Sequence, residues 1–147
     1  MCDEESNGIG GIVPNDRVIF RACMRSNCLS GAARDTVEPI TFQKEGRKHK
    51  DGLSLAFSAA ACARYCPRNY GIVRISVAAV HQLNRNLEVH FDTTDPEHAI
   101  IRNLPCTDRE PPEKELALAV SSELAAASEI ESSKRVITLA PPDAAPL

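Results

Sequence analysis

Three features of the sequence predict an α+β domain, with a small, bent, mixed or antiparallel sheet of about four to six strands and two main packing helices. Apolar and polar residues alternate in RVIFRA, LSLAF and LEVHFD, a run of small residues follows Ser58, and an apolar stripe at helical spacing follows Pro112. The 147 residues leave room for one domain, and 43% hydrophobic with 25% charged residues is a globular balance. With aromatics at 4% and no Trp, the core must be built from Val, Ile, Leu and Ala.

Residues 1–15 hold glycine and acid without periodicity and read as a flexible leader before a domain spanning 16–138. In RVIFRA, Val18, Phe20 and Ala22 alternate with Arg17, Ile19 and Arg21, which sets Arg21 on the face opposite Phe20. Residues 23–50 read as a long polar loop broken only by PITF. Asp51 and Gly52 then make a turn into LSLAF, where Ser54 projects away from Leu53 and Leu55. Ser58 caps a helix with the body AAACARYC, Phe57 and Cys62 occupy the positions of a hydrophobic staple, and Pro67 ends the helix.

GIVRISVAAV is read as a strand, although a run this short fits a buried helix as well. LEVHFD sends Leu87, Val89 and Phe91 one way and Glu88, His90 and Asp92 the other. Asp95 and Pro96 are a helix-start signal, with Ala99 to Ile101 equally suited to a strand. A helix is expected over 112–132, its stripe made by Leu116, Val120, Leu124 and Ala127. VITL reads as an added edge strand and 139–147 as a disordered tail.

Charge narrows the function classes. From Asp16 to Arg109 there are 14 basic against 10 acidic residues, while both ends are acidic and the net charge is −3. A mildly basic body suits a small anionic ligand but lacks the dense basic face that nucleic acid requires. No window approaches the roughly 18 apolar residues of a membrane span, and the acidic start MCDEES differs from a secretory signal. A cytoplasmic location is therefore expected, with the six cysteines as reduced thiols.

The polar residues that the apolar pattern does not explain are Arg21, Ser54, His90, Asp92 and His98, with His49 and Asp51 nearby. If the three alternating strands share a sheet, these side chains converge on one side of it. Arginine would then clamp a pyrophosphate, serine orient a ribose or phosphate oxygen, and histidine transfer a proton. The plainer reading makes them the solvent faces of half-buried strands. Cys23 with Cys28 and Cys62 with Cys66 supply four thiolates for tetrahedral zinc, but neither pair has CxxC spacing, so structural zinc is disfavoured and no metal ligand is assigned. No local pattern singles out a cysteine nucleophile with a histidine base, and no phosphate loop or dinucleotide fingerprint is present.

The succession RVIFRA, KDGLSLA, YGIVRISV and FDTTDPEHAIIRNLP resembles a group of uncharacterised bacterial proteins over about residues 16–138, a resemblance that implies no activity. More distantly, an arginine on a first strand, a serine on a second and a polar residue at a late strand is similar to the ADP-ribosyltransferase pattern, matched here by Arg21, Ser54 and Glu97 with His98. That resemblance implies an NAD-like or phosphorylated nucleotide ligand. Arg21, Ser54 and His98 would be the catalytic positions, and Arg21, Asp51, His90 and Asp92 would contact the ligand. The family carries a catalytic glutamate on its late strand, where this chain offers Glu97 beside His98, and RNA phosphotransferase-like relatives rely on basic groups and histidine instead. The alternatives are a non-catalytic module that docks a protein partner, with the last helix as contact, and a zinc-stabilised structural domain.

Overall fold

The computed structural model describes residues 8–46 and 52–133. In chain order the strands are β1 (Ile9–Ile12), β2 (Val18–Ala22), β3 (Leu29–Ser30), β4 (Thr36–Val37), β5 (Leu53–Ala56), β6 (Gly71–Ser76), β7 (Glu88–Asp92), β8 (Asp95–Arg102) and β9 (Glu129–Ser133). The helices are α1 (Ala59–Tyr65), α2 (Val77–His81) and α3 (Glu113–Ala127). Seven strands form one antiparallel sheet in the order β1-β7-β8-β5-β2-β6-β9, and β3 pairs with β4 in a separate ribbon. The expected sheet of four to six strands with two packing helices is thus corrected to a larger, sheet-dominated fold with three α-helices among the described residues.

The additional strands arise where the sequence carries no alternation. Ile9–Ile12 lies inside the expected leader, yet it pairs with β7 and is followed by the fully buried Val13. Within the expected loop over 23–50, the described residues 23–46 form two short 3-10 turns, Ser26–Cys28 and Pro39–Phe42, around the β3–β4 ribbon. The helix expected over 112–132 stops at Ala127, and EIESS turns back as a strand along β6. Its buried stripe is Ala117, Val120, Ser121, Leu124 and Ala125, so Leu116 is left exposed.

Two further segments resolve open choices. GIVRISVAAV splits at Ser76, whose hydroxyl accepts from the Ala79 amide at 3.0 Å and starts α2. DPEHAIIR is strand throughout, with Pro96 next to the strand's first residue. Ser58 caps α1 by accepting from Ala61 N at 3.0 Å. Phe57, the expected staple partner of Cys62, instead packs against Phe91 at a ring-centroid distance of 5.6 Å, with the Arg17 guanidinium 4.2 Å above its ring.

The sheet buries both faces. On one, Ile19, Leu53, Leu55, Val73, Ile75, Val89, Ala99 and Ile101 meet Val120 and Leu124 of α3, with Phe42 from the second 3-10 turn in the same core. On the other, Ala22, Ala56 and Ile72 meet Ala61 and Cys62 of α1, with Phe20 packed alongside. The alternation in β2 therefore separates two cores: Ile19 belongs to the larger, and Phe20 with Ala22 to the smaller. The expected edge strand VITL and the tail 139–147 lie outside the described residues.

Candidate functional site

The site lies where two central strands part. β2 is registered with β6 along its whole length, but with β5 it shares only the pair Phe20–Ala56. Beyond that pair the Arg21 side chain bridges the seam. Its Nε donates to the Thr41 carbonyl at 3.1 Å and its Nη1 to the Ser54 carbonyl at 2.7 Å. A guanidinium suits this position because its planar fork can donate to two carbonyls at once. Burial works against the Arg21 charge, and the sulfurs of Cys66, Cys62, Cys28 and Cys23 around it work in its favour.

On the α1 side of the seam is a cavity of about 550 Å³ that Arg21, Ser54, Asp92 and His98 all line. Phe20, Met24 and Tyr65 supply its apolar and aromatic wall. Strand alternation puts Ser54 and His98 on the face opposite Leu53, Leu55 and Ala99, whereas Arg21 starts from the face of Ile19. The expectation that all three side chains leave one face of the sheet is therefore corrected. Arg21 reaches the cavity through the gap between strands.

His98 is the best-oriented polar group in the cavity. Its Nδ1 is 2.7 Å from Asp92 Oδ2, and Asp92 Oδ1 accepts from the amide and hydroxyl of Thr94 at 2.8 and 2.6 Å. With Nδ1 donating to the carboxylate, the neutral ring keeps Nε2 as a free-standing acceptor, the tautomer that a general base needs. Burial pulls the Asp92 carboxyl upward, but the two Thr94 bonds and His98 outweigh it and hold it below the ordinary carboxylate range. Tyr65 stands edge-on to His98 at 6.0 Å and donates its hydroxyl to Asp95. That bond pushes the phenol up to about 12 and draws the Asp95 carboxyl down.

His90 and Glu97 lie outside the cavity. His90 shares its cross-strand row with Ile100 and Ser54, but its ring is held by the Gly10 carbonyl at 2.8 Å and Glu88 Oε1 at 2.9 Å, at the β1 edge. It does not line the cavity, and its ring fastens β7 to the β1 edge. Glu97 points to Arg64 on α1 and likewise stays outside the cavity. Asp51 and His49 lie outside the described residues. Sequence reasoning missed Thr94, Asp95 and Tyr65. The DTTD segment did carry a signal for the first two, since Asp with Thr two residues on is a side-chain-to-backbone turn.

Among the described residues, no three His, Cys, Asp or Glu side chains are placed to hold a metal ion. Cys23 and Cys28 belong to the larger core, while Cys62 and Cys66 belong to the smaller one, so the four thiols do not meet as a zinc site. No helix among the described residues is long and apolar enough to cross a membrane. No family model, curated protein or solved structure matches the chain.

Proposed function

We propose that the cavity at the β2–β5 seam binds a nucleoside-type ligand of the NAD or ADP-ribose class, with His98 as its proton-transfer group. One observation carries this reading: Arg21, Ser54 and His98, from three neighbouring strands, line a single hollow. Its volume of about 550 Å³ falls in the range of small-molecule sites, which run from roughly 300 to 1,000 Å³. Phe20, Met24 and Tyr65 offer an apolar wall to a base. Asp92 and Asp95 offer acceptors to ribose hydroxyls, and Arg21 places one positive charge at the floor.

The roles differ from those in the transferase pattern. The late-strand glutamate that would stabilise a ribosyl cation is absent from the cavity, because Glu97 is paired with Arg64. His98, oriented by Asp92, instead takes a proton from a ligand hydroxyl through Nε2. The phosphates receive less than a full clamp, since two Arg21 nitrogens already serve backbone carbonyls.

Isothermal titration of the full chain with NAD, ADP-ribose and adenosine tests this. Binding by at least one of them, weakened about tenfold by His98→Ala through loss of one ligand hydrogen bond, is the expected result. Absence of binding by all three, or equal affinity in wild type and His98→Ala, refutes it.

A further inference from the structure

Arg21 lines a second hollow besides the seam cavity. On its other side is a cleft of about 230 Å³ bordered by Arg21, Arg25, Thr41, Gln43 and Glu45. Ala22 and Met24 line both hollows together with Arg21, so the two adjoin at the end of β2. The cleft is smaller than the roughly 300 Å³ at which small-molecule sites begin, so it suits one part of a ligand and not the whole.

Backbone bonds frame this cleft. Cys23 N–H donates to the Gly71 carbonyl at 2.8 Å and the Cys23 carbonyl accepts from Tyr70 N at 2.7 Å, which continues the β2–β6 pairing one residue past β2. Arg25 is then extended, at φ −128° and ψ 148°, before the 3-10 turn Ser26–Cys28 begins. The second 3-10 turn is tied to the first, because the Cys28 carbonyl accepts from Glu38 N at 2.7 Å and from the Thr41 hydroxyl at 3.3 Å. Two short turns bonded to each other thus hold Arg25 and Gln43 at the same hollow as Arg21.

Charge sets what the cleft attracts. Arg21 uses Nε and Nη1 on two carbonyls, and among the described residues no carboxylate pairs with it. A guanidinium does not give up its proton, and a cation drawn away from water is stabilised most by an anion. Arg25 Nη2 is 4.0 Å from Glu45 Oε1, with both side chains open to water. That distance is an ion pair without a hydrogen bond, and exposed pairs of this kind hold weakly. Two guanidinium groups against one carboxylate leave the cleft positive.

We propose that this cleft is the phosphate subsite of the seam cavity, and that the ligand is a nucleotide whose phosphate groups pass over Arg21 to Arg25. The inference rests on the nucleoside reading of the larger cavity. Base and ribose stay with Phe20, Tyr65 and Asp92, which line that cavity. In the cleft Arg25 exchanges Glu45 for phosphate oxygens, which its planar fork fits, and the Gln43 side-chain amide donates to another. Arg25 supplies the cation that Arg21, committed to two carbonyls, does not supply alone. It is therefore the residue that separates a nucleotide from the corresponding nucleoside.

Isothermal titration of the full chain with adenosine, ADP and inorganic pyrophosphate is the test. ADP should bind about tenfold tighter than adenosine, and added salt should weaken ADP alone. Arg25→Ala should bring ADP down about tenfold, to the level of adenosine, and leave adenosine unchanged. Glu45→Gln removes the competing carboxylate and should tighten ADP by about threefold. Arg85→Ala removes a cation that lines neither hollow and should change none of these values. Equal affinity for ADP and adenosine, an unchanged ADP affinity in Arg25→Ala, or an equal loss in Arg85→Ala overturns the proposal. Pyrophosphate and His98→Ala separate this proposal from the reading it rests on. Pyrophosphate binding that Arg25→Ala abolishes, with adenosine unbound and ADP unaffected by His98→Ala, supports the subsite and refutes the nucleoside reading. Adenosine bound as tightly as ADP and weakened by His98→Ala, with pyrophosphate unbound, supports the nucleoside reading and refutes the subsite.

Discussion

Replacing Arg21 by Met tests the seam most directly, because it keeps much of the apolar stem and removes both hydrogen bonds. The Thr41 carbonyl belongs to a residue that is 2% exposed, so its loss of a donor carries the desolvation cost of an unpaired buried group, about 1–3 kcal/mol. Ser54 is exposed, and water can replace the guanidinium on its carbonyl at a cost nearer ~1 kcal/mol. The sum, about 3 kcal/mol, corresponds to a melting temperature lower by about 10 °C for a chain of this size. Urea denaturation followed by far-UV circular dichroism is the suitable assay, since the chain has two Tyr and no Trp for fluorescence. Arg21→Lys should fall between wild type and Arg21→Met, as one ammonium does not match two carbonyls in a plane. A stability of Arg21→Met within about 0.5 kcal/mol of wild type would refute the bridging role, because that is the range of an inert surface change.

Three further outcomes follow from the geometry. The Tyr65 pKa is raised to about 12 by its bond to Asp95, so that bond contributes stability below pH 10 that is lost as the pH rises toward 12; the lowered Asp95 pKa means its share is present above pH ~4 and lost under acid. The stability difference between wild type and Tyr65→Phe should therefore hold through neutral pH and close at both extremes in a pH series of thermal melts. Gly52→Ala should destabilise by about 2–4 kcal/mol in urea titration, because φ is +138° there and an added Cβ would lie 2.4 Å from the Ile101 carbonyl oxygen. Leu124→Ala should cost about 2–5 kcal/mol in the same titration, since Leu124 is fully buried between α3 and the sheet.

Legibility in the sequence followed local pattern. β2, β5 and β7 could be read because each alternates over several residues, and the Ser58 cap because its side chain acts three residues away. β1 could not, since Gly10 and Gly11 erase its period and its place is fixed by distant partners in β7. β9 could not because EIESS continues the composition of the helix before it, and only the open edge of β6 makes it a strand. For the site, the polar residues Arg21, Ser54, Asp92 and His98 stood out against the apolar pattern. Their roles did not: the Asp92 turn that aims His98 had a local signal, whereas the route of Arg21 between strands depends on how far β2 and β5 separate, which no single segment encodes.

The location of the cavity follows from an asymmetry between the two faces of the sheet. The larger core is lined by Leu, Ile and Val, which fill the space under α3, while Ala22 and Ala56 contribute only methyl groups to the opposite face. Alanines there let α1 lie close over β2, β5 and β6 through Ala61. Because α1 is only seven residues long, it ends at Tyr65 before covering the start of β8, where Asp95 and His98 stand. A hollow thus remains between the end of a short helix and the polar end of a long strand, and Tyr65 closes part of it through Asp95. Lengthening α1 or enlarging Ala56 would fill that space with apolar atoms. The same small residues that limit the second core are what leave His98 accessible.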